Sequence, residues 1–424
     1  MNTIRIRPAH PSRIHYFFVF LLSAGIGFSL SPASPDISST PIIPTYPASR
    51  VIHDNRIEAV FTLDGYVNRL VSDIENAEHS VAIDAYILGG EAGMAIARAL
   101  LARNQDGLDV RVLLDRHLGA VDVLQSETER VLTFLTKQGV PLRFSVTLNG
   151  GWIRHRWSED HHKLALIDDR VVYVGGTNVA DLFATYQDLM LRVEGDLARD
   201  VRQQFEYDWY WAGHPEQADR NFRGDAFVGN GLIECESRAG LSTVRMVGNG
   251  IGRQSLEGSI INAIDSATTS IRIQLHQFNR VPILDAVIRA AERGVDVKVL
   301  LDPSNLDNFI PYMKWGPRGI FNAYAANRLI SYGIAVKFAV PEENFEAYHM
   351  KFGIFDDRVA LVGTPNWTHL GTTRNSETML EIGGGTIVTD LTQWFDGAWE
   401  LRAEHPSVGY VSRVIGFFYR QFFK

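Results

Sequence analysis

His161–Asn178 reads HHKLALIDDRVVYVGGTN, and His349–Asn366 reads HMKFGIFDDRVALVGTPN. Each stretch sets a histidine and a lysine two residues apart, then an Asp-Asp pair flanked by apolar runs, then small residues and an asparagine. On a strand, residues two apart share a face, so His161 with Lys163 and His349 with Lys351 point the same way. A hairpin centred on Asp169 sets Lys163 opposite Gly175 and His161 opposite Thr177. One centred on Asp357 sets His349 opposite Pro365. Asn178 and Asn366 then lie beside the histidines, and the small residues at Gly175, Gly176 and Gly363 leave room for a ligand near the backbone.

The repetition extends outward. HSVAIDAYIL answers TSIRIQLHQF, GLDVRVLLD answers GVDVKVLLD, GVPLRFSV answers GIAVKFAV, and DVRQQFEYDW answers DLTQWFDGAW, all shifted by 187–194 residues. A shift this steady marks a duplicated unit. The order within a copy is strand, helix, strand, helix, strand, strand pair, helix, which predicts an α/β fold of two halves, each a mixed β-sheet flanked by helices. The strands VRVLLD and VKVLLD are almost wholly apolar, as strands covered on both faces require. Related halves pack about a pseudo-twofold axis, so the two histidine motifs are expected to share one active site.

The chain has 424 residues, a formal net charge of −8 and one cysteine, Cys235. The length accommodates two cores. The acidic balance argues against a general nucleic-acid binder, which needs surplus Lys and Arg. One cysteine excludes an intrachain disulfide and a cysteine metal cluster. His155, His161 and His162 do not read as a zinc site, because adjacent strand residues diverge; His162 points away from the motif face and is expected to pack. No metal or cofactor is expected, and no obligate protein partner.

Residues 1–30 place Arg5, Arg7 and Arg13 before the apolar run YFFVFLLSAGIGFSL, which reads as a signal peptide or a membrane anchor. Residues 31–50 read as a Pro/Ser-rich linker, 51–230 and 231–405 as the two halves, and 406–424 as a basic, aromatic amphipathic tail. These features predict a chain exported or anchored in the inner membrane of a bacterium, with a periplasmic catalytic part. Arg154 and Arg156 either grip a headgroup or lie in a solvated loop. The aromatic and basic stretch from Phe309 is either a lid or ordinary helix packing.

Imidazole, ammonium and carboxamide together suit a phosphodiester: lysine and asparagine bind non-bridging oxygens, one histidine attacks phosphorus, and the other protonates the leaving oxygen. An attacking imidazole needs an orienter on its other nitrogen. Asp188 and Glu377, 27 and 28 residues beyond their histidines, are assigned that role. Asp168 and Asp356 occupy the turns, where Asp is common for local hydrogen bonding.

Both halves resemble the phospholipase D superfamily, whose HxKxxxxD motif is followed six residues later by Gly-Ser/Gly/Thr-x-Asn; the likeness runs from about Val51 to Trp399. It implies metal-independent double displacement through phosphohistidine, with His161 as nucleophile and His349 as acid and base. His161, Lys163, Asp168, His349, Lys351 and Asp356 form the implied catalytic set, and Asn178, Asn366, Gly176 and Thr364 the phosphate-binding set. The stretch HHKLALIDDRVVYVGGTNVADLF, with LRVEG and DWYWAG after it, is similar to bacterial cardiolipin synthases. The second copy departs at GTPNWTHLG, a form more similar to hydrolytic members and small nucleases. The implied reaction is phosphatidyl transfer between phosphatidylglycerols at a membrane surface. Its alternatives are a hydrolytic phospholipase D and an exported nuclease.

Overall fold

The computed structural model describes residues 44–115, 122–146, 158–215, 225–226, 232–251, 253–303, 322–340, 342, 345 and 347–405. The apolar run near the N-terminus, Arg154 and Arg156, most of the stretch from Phe309 and the C-terminal tail lie outside these residues.

Two sheets of the same design make up the fold. In the first half Ser80–Ala85, Asp109–Leu114 and Leu142–Phe144 run parallel, and Ser80–Ala85 continues antiparallel into Lys163–Ile167, Val171–Gly175 and Met190–Glu194. The second half repeats the plan with Ser270–Leu275, Asp296–Leu301 and Ala335–Ala339 parallel, then Lys351–Phe355, Val359–Gly363 and Glu377–Gly384 antiparallel. The parallel strands are apolar on both faces, as anticipated. Val110, Val112 and Leu114 pack under the helices Leu63–Glu75, Gly90–Gln105 and Asp122–Lys137, whereas Leu113 faces the opposite core.

That opposite core joins the halves. Leu164, Leu166, Val172 and Val174 meet Phe352, Ile354, Ala360 and Val362, and the helices Leu197–Gly213 and Ile387–Leu401 add Phe205 and Phe395 to the same cluster. The strand Val51–Val60, placed by sequence in the first half, serves both: Ile52 pairs with Val244 of the second, and Arg56–Val60 pair with Glu194–Met190 of the first.

The motif hairpins have the anticipated register, with Leu164 opposite Val174 and Phe352 opposite Val362. Their three-residue turns, Asp168–Arg170 and Asp356–Arg358, hold Asp168, Asp169, Asp356 and Asp357 at φ of 48–53°, the left-handed pair of a tight hairpin. The first Asp of each turn offsets that cost with its carboxylate. Asp168 accepts from the backbone N–H groups of Glu78, His79 and Ser80 at 2.8–2.9 Å. Asp356 accepts from Thr268, Thr269 and Ser270 at 2.7–3.0 Å.

One expectation is corrected. Among the described residues no helix is long and apolar enough to cross a membrane, so the inner-membrane anchoring inferred from residues 1–30 finds no support in the folded chain.

Candidate active site

The motif strands deliver His161 and His349 just ahead of their first residues, Lys163 and Lys351. All four side chains are buried. The imidazoles find their carboxylates in the opposite half. His161 Nδ1 lies 2.9 Å from Glu377 Oε2, and His349 Nδ1 lies 2.6 Å from Asp188 Oδ2. The sequence pointed to these two acids but paired each with the histidine of its own copy.

Backbone pairing explains the exchange. Asp160 bridges to Ser376 in parallel, and the His161 N–H donates to the Ser376 carbonyl at 2.9 Å. In the pseudosymmetric arrangement Ala347–Tyr348 pairs in parallel with Tyr186–Gln187, and the His349 N–H donates to the Gln187 carbonyl at 2.7 Å. Each histidine is thus hydrogen-bonded one residue before the carboxylate it meets. Asp188 in turn lies against the first motif, since a Cβ on Gly176 would come within 2.3 Å of its Oδ1. His349 therefore stands at the first motif, and His161, through Glu377, at the second. One site is built from both halves.

Gly176 and its counterpart Thr364, expected to bind phosphate, are both committed to these acids. Gly176 gives Asp188 space, and Thr364, fully buried, donates to Glu377 at 2.5 Å. In Asn178 and Asn366, also expected to bind phosphate, the carboxamide oxygen is buried without a hydrogen-bond partner, and a phosphate oxygen would be met by the Nδ2 donors instead. Asp168 and Asp356, expected in the catalytic set, sit seven residues beyond the histidines. An extended strand covers about 20 Å in that length, and both carboxylates are occupied by backbone N–H groups. They are turn clasps.

The lysines differ. Lys163 Nζ donates to the His161 carbonyl at 2.9 Å and lies 5.1 Å from the centre of the Tyr86 ring. Lys351 Nζ bonds the His349 carbonyl and comes within 2.9 Å of Nδ1 and 3.1 Å of Nε2 of the His349 ring. The His161 ring is left to Glu377.

Burial dominates the ionisation of the site. It draws His161 below its ordinary value, with Glu377 opposing and Lys163 reinforcing the shift. His349 is driven well below its ordinary value, by burial first and then by the positive charge of Lys351 and Lys163 and the neighbouring His276. Burial also brings Lys163 down to about 8 and Lys351 to about 7, and pushes Asp188 up to about 7. Burial thus favours the neutral form of both imidazoles in the empty site. An arriving phosphodiester adds one negative charge and favours protonation of one ring.

Two aromatic neighbours were missed by sequence reasoning. Tyr86 stands edge-on to His161 with ring centres 4.9 Å apart, and His276 lies 4.6 Å from His349. They occupy equivalent places, two residues beyond Asp84 and Gln274, so the aligned copies carried the signal. Tyr86 donates its hydroxyl to Glu159 at 3.1 Å, and burial raises Glu159 to about 7.

Comparison with known proteins bears on this geometry. A family described as "Cardiolipin synthase, PLD-like domain" matches twice, at residues 70–209 and 260–399. Cardiolipin synthase A of Pseudomonas putida strain W619 is 26% identical over 375 residues, covering 84% of this chain and 71% of its own. Cardiolipin synthase of Oceanobacillus iheyensis is 28% identical over 399 residues, covering 87% and 76%. Phosphatidylserine synthase of Haemophilus influenzae shares the fold, with a TM-score of 0.63 at 14% identity over 87% of this chain and 92% of its own.

Proposed function

Since the chain belongs to the phospholipase D superfamily and carries that superfamily's phosphodiester chemistry, we propose that it is a phosphatidyltransferase joining two phosphatidylglycerols into cardiolipin with release of glycerol. The observation that carries this reading is the crosswise pairing of His161 with Glu377 and His349 with Asp188. It gives each imidazole a carboxylate of the opposite half on Nδ1, which leaves Nε2 as the nitrogen for chemistry once Lys351 turns from His349 to the substrate.

His161 Nε2 attacks phosphorus and the bond to the glycerol oxygen breaks, while His349 gives its proton to that oxygen and glycerol leaves. The hydroxyl of a second phosphatidylglycerol then passes its proton to His349 and attacks the phosphohistidine, forming cardiolipin and releasing His161. Assigning the attack to His161 follows from the lysines: Lys351 crowds both nitrogens of His349, whereas Lys163 leaves the His161 ring alone. The lysine ammoniums and the Asn178 and Asn366 amides hold the non-bridging oxygens as charge moves between attacking and leaving groups. The substrate is a phospholipid at a membrane surface; nothing in the composition favours nucleic acid.

A hydrolytic phospholipase D uses the same first step and differs only in the second nucleophile. Thr364-Pro365-Asn366-Trp367 in the second motif favours this alternative, as a form more similar to hydrolytic members. Incubation with phosphatidylglycerol vesicles separates them. Cardiolipin with glycerol supports the transferase, and phosphatidic acid with glycerol and no cardiolipin overturns it in favour of the hydrolase.

A further inference from the structure

On the face of the first motif strand turned away from Lys163, three side chains of the first half converge in the core. Asp84 comes from Ser80–Ala85, His162 precedes the motif strand, and Asp208 comes from the helix Leu197–Gly213. One donor atom from each lies within 4.8 Å of the other two. Asp84 and His162 are each 1% exposed. Oδ1 of Asp84 and Oδ2 of Asp208 are buried without a hydrogen-bond partner, and Oδ2 of Asp84 has only His162 Nδ1, 3.3 Å away. The Tyr46 hydroxyl is also buried and unpartnered, and Asp208 and Asp84 are among the charges acting on it. Asp160 Oδ1 lies 2.7 Å from His162 Nδ1, and the Gln204 amide lies 3.0 Å from His162 Nε2.

The charge does not balance. Asp84, Asp160 and Asp208 face one imidazole: Asp160 and His162 act most strongly on Asp84, and His162, Asp84 and Asp160 on Asp208. Three buried carboxylates that share a single imidazole are costly. The fold does not demand them either. In the second half the places of His162, Asp208 and Gln204 are taken by Met350, Ala398 and Trp394, and that of Asp84 by the uncharged Gln274. Met350 and Ala398 are buried in the shared core, so the same architecture closes around apolar side chains.

We propose that Asp84, His162 and Asp208 bind one divalent first-row transition metal ion, of which Zn2+ is the representative. One imidazole and two carboxylates suit such an ion better than the all-oxygen shells of calcium or magnesium. Asp160 against Nδ1 supplies the carboxylate that typically orients a ligating histidine, and Nε2 exchanges the Gln204 amide for the ion on loading. Metal bonds of about 2.0–2.2 Å require the three donors to draw together by about 1 Å on loading. The ion sits behind the reaction centre: Gln204 donates to Thr378 Oγ1 at 2.8 Å, and Thr378 follows Glu377. It touches no reacting atom, and the inference is independent of the proposed substrate.

The test uses the full chain, stripped with a chelator, dialysed and titrated with Zn2+ alone, with bound metal counted after gel filtration. About one equivalent and a rise in Tm are expected, since a ligand that binds only the folded state stabilises it. Asp84→Gln, which copies the residue of the second half, and Asp208→Asn should lose the equivalent, while His349→Ala should retain it. Co2+ loaded into the stripped wild-type protein should show visible absorption of a nitrogen- and oxygen-ligated ion, a readout that does not depend on any variant folding. The proposal is overturned if the stripped protein takes up no metal, if Asp84→Gln binds as much as wild type, or if His349→Ala abolishes uptake.

Discussion

The protonation pattern at the two histidines sets the first expectations. Both imidazoles are held below their ordinary value by burial, so the attacking ring is already neutral at mildly acidic pH. The acid limb of kcat/KM should therefore lie below pH 6.5. Burial brings Lys351 down to about 7 and Lys163 to about 8, and their loss of charge, added to loss of the proton that His349 must give to the leaving oxygen, should lower kcat/KM as pH rises. A rate profile on dispersed phosphatidylglycerol checks both limbs, and a flat profile from pH 6 to 9 would contradict the assignment. His161→Ala should lose about 10⁴-fold or more in kcat. With a p-nitrophenyl phosphodiester, whose leaving group needs no proton, His349→Ala should still form the phosphohistidine and accumulate it, whereas His161→Ala should form none. Mass analysis of the histidine-containing peptides reads the difference. At this scale the sequence was informative about residue types and poor about their partners. Asp188 and Glu377 were visible as acids at equal spacing, but spacing along a chain carries no record of which half an acid will face.

Among the elements, the motif hairpins were the most legible, because a period-two pattern around Asp-Asp fixes register as well as existence. The seven residues separating histidine from turn aspartate also exclude Asp168 and Asp356 from the chemistry once the segment is taken as a strand. Burial tends to raise the Asp356 carboxyl, but the backbone N–H groups of Thr268, Thr269 and Ser270 and the Thr269 hydroxyl bring it down to about 2. A depressed carboxyl stabilises the fold above its unfolded value, here 3.8, and the benefit is lost as pH falls toward 2. Asp356→Asn should accordingly lower Tm by a few degrees at pH 7, no more than about 1 kcal/mol, since solvent screens this partly exposed carboxylate. The difference from wild type should narrow steadily below pH 4, as thermal melts across that range would show. Activity per folded molecule should be little changed, which separates a clasp from a reacting group.

For the whole molecule, the duplication was readable as a constant shift, and the shared core followed from strands apolar on both faces. The strand Val51–Val60 was not readable as common property, since its pairing changes partner between Asn55 and Arg56 without any break in the sequence. Crosswise pairing makes a measurable claim about coupling. Glu377→Gln should cost about 10²-fold in wild type and little further once His161 is already Ala, with Asp188 and His349 coupled in the same way across the other diagonal. A double-mutant cycle in which Glu377 couples to His349 alone would contradict the geometry. The exchange of acids also bears on how such a chain changes over time. Neither repeat holds a self-sufficient reaction centre, so a spare copy freed to drift is not available here. Damage to either twin silences both, and the two must evolve as a single tool.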